Sequence, residues 1–158
     1  MLPLLPLLLF LHVLGAIIVF GPTFAFPLIA SQARKSPQNG HFAAVVTDVI
    51  ERRIIIPGAI VQGVTGVLLI LVLGADLTSQ AYRWLIPGIV LYLIAIGFAV
   101  AVQAPAVEKM VELTKTQPGP EGPSPEFLAL AKKLQRGGMF LALLIVTIVF
   151  LMVVKPGR

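Results

Sequence analysis

The chain contains no cysteine and few charged residues. Only 12% of its 158 residues are Asp, Glu, Lys or Arg, about half the share in a soluble domain. The lack of cysteine excludes disulfides, thiolate zinc sites and cysteine-ligated iron–sulfur clusters. The shortage of charge leaves too little polar surface for a water-soluble fold. Apolar residues make up 58% of the chain, and they predict an integral membrane protein.

The apolar residues fall into four long segments. Each is long enough to cross the hydrocarbon core of a bilayer, which takes about 20 helical residues. We therefore predict an all-α integral membrane protein, a single membrane domain over residues 1–158 built as a four-transmembrane-helix bundle. The predicted membrane helices cover about 3–30, 54–73, 84–104 and 137–154.

Three of these helices are predicted to extend beyond the membrane on the cytoplasmic side. Residues 41–53, 107–113 and 127–134 have apolar positions at helical spacing with charges between them. Residues 117–125 contain four prolines and two glycines, which predict a loop. Ser124 is the expected N-cap of the last helix, with Pro125 at its first position.

The basic residues are distributed unevenly between the two sides. The connections 31–53 and 105–136 hold nine Lys and Arg, whereas the other side holds three. The positive-inside rule therefore places these two connections in the cytoplasm and both termini outside, in a cytoplasmic (inner) membrane. Because the basic charge marks topology, the expected partner is the lipid bilayer and not nucleic acid.

Pairs of small residues four positions apart predict close contacts between helices, because they let helix backbones approach one another in lipid. The pairs are Ala59 and Gly63, Gly97 and Ala101, and Gly138 and Ala142.

One ionisable residue, His12, lies in the middle of the first apolar run. Such a residue is costly in a membrane and is by default a functional hypothesis. Counted along the helices, Gln62, Thr65, Tyr92 and Thr147 lie at a comparable depth. A neutral imidazole needs both a donor and an acceptor. His12 therefore either lines an internal site or is a structural histidine bonded to Tyr92 or Gln62.

A single intramembrane histidine limits the chemistry. There is no nucleophile and carboxylate for a catalytic triad at that depth, and there are no further ligands for a zinc or copper site. Two ligands remain: a haem iron held by one axial histidine, and a quinone carbonyl that accepts a hydrogen bond from the imidazole. A haem would also need basic partners for its propionates at the same end of the bundle. The candidate cofactor-binding residues are His12 (the haem iron ligand), Tyr92, Gln62, Thr65, Arg83 and Lys155.

Short motifs connect the chain with known families. They are Leu11–Gly15, Glu51–Arg53 ahead of Pro57, Thr65–Gly66 and Val154–Pro156. Through them the whole chain resembles a bacterial family of predicted integral membrane proteins of unknown function. More distantly it is similar to the four-helix protoporphyrinogen oxidases and the copper-resistance D-type membrane proteins.

The resemblance to the oxidases implies a cofactor. In that family the histidine at the position of His12 is implicated in binding b-type haem, and a lysine near the end of the last helix corresponds to Lys155. The arginine of the oxidases' Tyr-Leu-Pro-Arg run is missing here, so porphyrinogen oxidation is not implied. Copper ligands are missing as well.

Two kinds of function follow. The first is a membrane protein that binds haem b through His12 for redox or tetrapyrrole chemistry, with enzymatic activity left open. The second is a non-catalytic membrane scaffold or assembly subunit without a cofactor, which docks a membrane-complex partner or forms a homodimer. A carrier for a small apolar molecule is a weaker third, because four helices without a clear inverted repeat do not make an alternating-access machine.

Overall fold

The structure, a computed structural model, describes residues 4–116 and 122–157. Four of its helices are long and apolar enough to cross a membrane: Leu4–Lys35, Pro37–Leu73, Gln80–Thr114 and Pro125–Val154. This confirms the predicted four-span, all-α bundle. The helices also continue past the apolar segments on the side of residues 31–53 and 105–136, as predicted. We term that side the basic end and the other side the terminal end.

Each of the first three spans changes its helical geometry along its length. The first consists of α1 (Leu4–Phe20), a 3-10 turn (Gly21–Phe24) and α2 (Phe26–Lys35). The second consists of a 3-10 turn (Pro37–Asn39), α3 (Gly40–Ile50), a first π segment (Glu51–Ile55) and α4 (Ile56–Leu73). The third consists of a 3-10 turn (Gln80–Tyr82), α5 (Leu85–Phe98), a second π segment (Ala99–Gln103) and α6 (Ala104–Thr114). The fourth is one helix, α7 (Pro125–Val154).

Prolines explain both π segments. Pro57 and Pro105 each stand second in the α-helix that follows a π segment. A proline inside a helix donates no hydrogen bond, and its ring clashes with the carbonyl four residues earlier. The wider π turn relieves that clash by shifting the pairing to five residues, as in the bond from the Ile56 N–H to the Glu51 carbonyl. Both spans therefore continue through their prolines instead of ending there.

The ends of α4 and α7 follow ordinary capping rules. Ser124 Oγ accepts a hydrogen bond from the Phe127 N–H at 3.2 Å, which confirms the predicted N-cap. α4 ends at Gly74, whose φ of 60° is the left-handed conformation that glycine adopts at low cost. Of the predicted loop 117–125, residues 117–121 lie outside the described residues, as does the predicted first residue of helix one at position 3.

The helices pack in different pairs at the two levels. Along the apolar segments α1 packs against α4, and α5 packs against α7. At the basic end α3 packs against α6, with α2 and α7 beside them. The extensions have a core of their own, which consists of Ala44, Ala106, Met110 and Leu130.

Of the three predicted pairs of small residues, one lies at a close contact between helices. The ring of Tyr92 packs onto Gly63, where an added Cβ would lie 2.6 Å from its hydroxyl oxygen. By contrast, a Cβ added at Gly97 or Gly138 would meet no atom of the described residues within 4 Å. Those two predictions are wrong for this chain. The close contact on α7 is at the neighbouring Gly137, which packs against Phe98 and Gln103.

The core at the basic end predicts a difference between two methionines. Met110 is buried in this core, whereas Met139 is exposed on the lipid-facing side of α7. Met110→Ala leaves a cavity and should lower the free energy of unfolding by about 2–4 kcal/mol. Met139→Ala should change it by less than about 0.5 kcal/mol. Thermal unfolding in detergent measures both; equal shifts would contradict the packed core.

Candidate functional site

Three polar side chains of the apolar region, those of His12, Gln62 and Thr65, meet where α1 packs against α4. Leu8, His12, Gly15 and Val19 follow one another at helical spacing on α1 and form the face toward α4. Glycines bring the two backbones close: a Cβ added at Gly15 would lie 2.6 Å from Gln62 Oε1. His12 therefore lies directly against the face of α4 that carries Gln62 and Thr65. We term this contact the α1–α4 seam.

Two hydrogen bonds connect His12 with α4, and a third links their partners within α4. His12 Nδ1 lies 2.8 Å from Thr65 Oγ1. The Thr65 hydroxyl donates to the Gln62 carbonyl at 3.0 Å, and Gln62 Nε2 donates to the His12 carbonyl at 2.9 Å. The ring and the backbone of His12 are thus both bound to α4, while Gln62 is buried and His12 is only partly buried.

The proton of the Thr65 hydroxyl and the tautomer of His12 are linked. The Gln62 carbonyl can only accept, so when Thr65 donates its single hydroxyl proton there, Thr65 Oγ1 accepts from His12 and Nδ1 is the donor. When the hydroxyl donates to Nδ1 instead, Nε2 carries the ring proton. The first arrangement leaves Nε2 unprotonated, and within the described part of the chain Nε2 has no hydrogen-bond partner. A histidine held in this way presents a lone pair, as metal-ligating histidines do.

Tyr92 approaches α4 from α5 and binds next to this cluster, not within it. Its hydroxyl donates to the Ala59 carbonyl at 2.7 Å. The predicted structural partner of His12 is therefore corrected: its ring bonds Thr65, whereas Gln62 bonds its backbone carbonyl. Thr147, predicted at the same depth, bonds the Leu143 carbonyl of its own helix.

The two basic candidates lie at the terminal end. Lys155 Nζ lies 5.5 Å from the ring centroid of Trp84, in a cation–π contact. Arg83 is exposed and forms no ion pair with any described residue. Neither is hydrogen-bonded to His12. Among residues 4–116 and 122–157, no group of three or more His, Asp or Glu side chains could hold a metal ion, so a bare metal site is not present there.

A small cavity of about 40 Å³ lies between all four spans, nearer the basic end. Its polar lining consists of Tyr92 and of Thr23, a residue that is only 8% exposed and whose hydroxyl has no hydrogen bond within the described residues. His12 is not among the lining residues. The remaining lining is apolar: Phe20, Ile55, Ile56, Ala59, Ala95, Ile96, Ala99, Val100, Leu141 and Ile145.

Glu51 is the residue that sequence reasoning missed. It lies on the first π segment, before the membrane part of its span, and is only 4% exposed. Burial raises the pKa of its carboxyl to about 7, with a further upward contribution from the charge of Asp48 and an opposing one from Arg52. Its burial could have been predicted from the sequence. Glu51 follows Ala44 by seven residues and precedes Ala59 by eight, and residues at these spacings lie on the same helix face.

The seam predicts different effects for two threonines. Thr65→Val removes the partner of the His12 ring and should lower the free energy of unfolding by about 1 kcal/mol, a usual value for a hydrogen bond between membrane helices. Thr147→Val is the matched control, because Thr147 bonds only its own helix. Nitrogen NMR of labelled His12 should show a protonated Nδ1 in the native chain. A protonated Nε2 would contradict the assignment of the proton.

Comparison with known families matches residues 6–156 to the family model described as "Predicted integral membrane protein (DUF2269)". No curated protein and no solved structure matches the chain. The distant resemblance to the haem-binding oxidases and the copper-resistance proteins stays a prediction. Because the match covers nearly the whole chain, the protein belongs to the DUF2269 family of predicted integral membrane proteins.

Proposed function

We propose that the α1–α4 seam is a ligand-binding site in which His12 Nε2 serves as the axial ligand of a b-type haem. The observation that supports this proposal is the hydrogen bond between His12 Nδ1 and Thr65, which leaves Nε2 unprotonated in the tautomer that donates from Nδ1. One protein ligand is enough for a haem iron, whereas a bare metal ion needs several.

The bonding of His12 favours haem over a quinone. The carbonyl of an oxidised quinone needs a hydrogen-bond donor, and an unprotonated Nε2 can only accept. A metal ion needs the opposite, a lone pair on nitrogen. The position of the proton on the His12 ring therefore distinguishes between haem and quinone, the two ligands that the sequence leaves open.

The interior of the bundle does not fit a macrocycle. The central cavity of about 40 Å³ is far below the roughly 300 Å³ or more of ordinary ligand pockets, and His12 does not line it. A haem would therefore lie on the outer side of the seam, where His12 is partly exposed. Bound haem would supply one-electron redox chemistry. The contribution of the chain is to hold the imidazole through Thr65 and Gln62.

The distribution of charge supports an orientation for this site. We infer that the basic end faces the cytoplasm of an inner membrane, because nine of the twelve Lys and Arg belong to its connections. His12 then lies in the outer half of the bilayer, and Arg83 and Lys155 lie near its outer surface.

Haem binding is tested by absorption spectroscopy. The full chain, expressed with a haem supply and purified in detergent, should show a Soret band that His12→Ala removes. Thr65→Val should weaken the binding of added haem about tenfold or more, because it removes the group that orients the ligand. His41→Ala is the matched control and should leave the band unchanged, since His41 bonds Thr114 at the opposite end of the bundle. A colourless native protein after haem addition, or a band that survives His12→Ala, would reject the proposal.

A second candidate, a scaffold that docks another protein, is supported by the surface of the basic end. Phe42 is 71% exposed and Leu128 is 56% exposed, although both precede the membrane parts of their spans and lie on helices with a packed core. A contiguous apolar patch outside the membrane is typical of an interaction site, and in this proposal the two side chains belong to such a patch.

The scaffold function is tested by purification in mild detergent. Phe42→Ser together with Leu128→Ser should remove a co-purifying membrane-complex partner and leave thermal unfolding unchanged, because neither side chain belongs to the core. Reversal of charge at Lys132 and Lys133, both exposed, separates an electrostatic contribution from an apolar one. If the native chain purifies without a partner, or if the partner survives the double substitution, this candidate fails.

A further inference from the structure

Glu51 is a buried carboxyl with no hydrogen-bond partner within the described residues. It is 4% exposed and lies at the junction of α3 and α4. A buried carboxylate normally needs several donors or an opposite charge, since its desolvation is costly. Here no hydrogen-bond donor is in place, and the charge of the neighbouring Arg52 only partly offsets the cost of burial.

The basic residues nearby are turned elsewhere. Arg52 Nε donates to Asp48 at 2.8 Å and its Nη2 donates to Glu108 of α6 at 2.9 Å. Arg53 is exposed. The helices with most contacts to the first π segment are α3, α4 and α1, and α6 reaches it through Glu108. Asp48 of α3 is an additional negative charge, while α4 carries no charged residue and the one titratable residue of α1, His12, lies near the opposite end of the seam. A proton is therefore what neutralises Glu51.

The central cavity, which lies one helix turn beyond Glu51 and which Glu51 itself does not line, has room for water. Ile55 and Ile56, the next residues on its helix face, line the central cavity together with Thr23. A cavity of about 40 Å³ has room for two or three water molecules at roughly 10–15 Å³ each. Thr23 offers them a hydroxyl that has no partner in the described chain. No fully enclosed side-chain oxygen of the described residues lacks a hydrogen bond, so the carboxyl oxygens of Glu51 still touch a narrow accessible crevice.

We propose that Glu51 is a proton-binding site at the basic end, and that loss of its proton hydrates the central cavity. With the proton bound, the neutral carboxyl is compatible with the tight packing of α1 against the π segment. When the proton leaves to water at the basic end, the remaining carboxylate needs solvation, and the cavity lined by Ile55 and Ile56 begins one turn along its helix face. This inference goes beyond the proposed function, since it involves neither His12 nor haem.

The pH range follows from the burial of the carboxyl. Its pKa is raised from 4.5 to about 7, so the folded protein holds a proton that the unfolded chain has already released. The stability contributed by this group is full below pH 4.5 and is lost as the pH rises toward about 7. The ionised fraction then rises from roughly a tenth to nine-tenths between about pH 6 and about pH 8.

The chain contains no native cysteine, so a thiol reagent labels only a cysteine that is introduced. A single cysteine at the cavity, Ala99→Cys, is labelled in the full detergent-solubilised chain with a small water-soluble thiol reagent. Thr78→Cys, in the exposed connection at the terminal end, corrects for the pH dependence of the thiol itself. The labelling rate at position 99, divided by that at position 78, should rise up to about ninefold from pH 6 to pH 8 with Glu51. With Glu51→Gln it should stay flat and low.

Two outcomes overturn the proposal. One is a ratio that does not change with pH in the chain that has Glu51. The other is a ratio that rises equally after Glu51→Gln. Infrared spectra of the native chain give a result that does not depend on a cysteine variant. A carboxyl C=O band that disappears between pH 6 and pH 8 supports the site, and its absence from the difference spectrum rejects it.

Discussion

The constraint on which the structure depends is that lipid offers no hydrogen bonds, so each polar group in the apolar segments must find its partner inside the bundle. The α1–α4 seam shows how this is met. Gln62 donates to the carbonyl of His12, and the ring of His12 bonds Thr65, so each helix satisfies the other. Gly15 leaves the space for this contact, since a Cβ there would lie 2.6 Å from Gln62 Oε1, and the His12 ring packs next to Gly66. Small residues and polar residues therefore act together here, and neither would hold the helices alone.

Prolines shape the same bundle in a second way. Pro57 and Pro105 are both accommodated by π segments, and residues of both segments line the central cavity. A π turn is wider than an α turn and changes the direction of the side chains that follow it. The cavity thus lies where two neighbouring spans are both irregular. A regular α-helix at either position would place different side chains at the centre.

The number of spans, the extensions and the Ser124 cap could be predicted from the sequence, because each depends on local residue patterns. What could not be predicted depends on which face of a helix meets a neighbour. Gly137 and Gly138 are adjacent in sequence, yet only Gly137 contacts another span. Similarly, Glu51, Arg52 and Arg53 form one charged triplet, but the helix turns Glu51 inward and leaves both arginines exposed. The two π segments add to this difficulty, since each shifts the face by one residue.

The same distinction explains why the candidate site was predicted only in part. His12 was identifiable from its type and depth, whereas its partner depended on the rotation of α4. Thr65 and Gln62 are three residues apart and share a face, so one helix turn offers His12 both a hydroxyl for its ring and an amide for its carbonyl.

Tyr92 binds Ala59, one turn nearer the basic end and next to the cavity. α4 therefore separates two polar regions: the seam with His12 on one side, and the cavity above Glu51 on the other. A change of charge at Glu51 would reach His12 only through movement of α4 itself, because no hydrogen-bonded chain of described residues connects them.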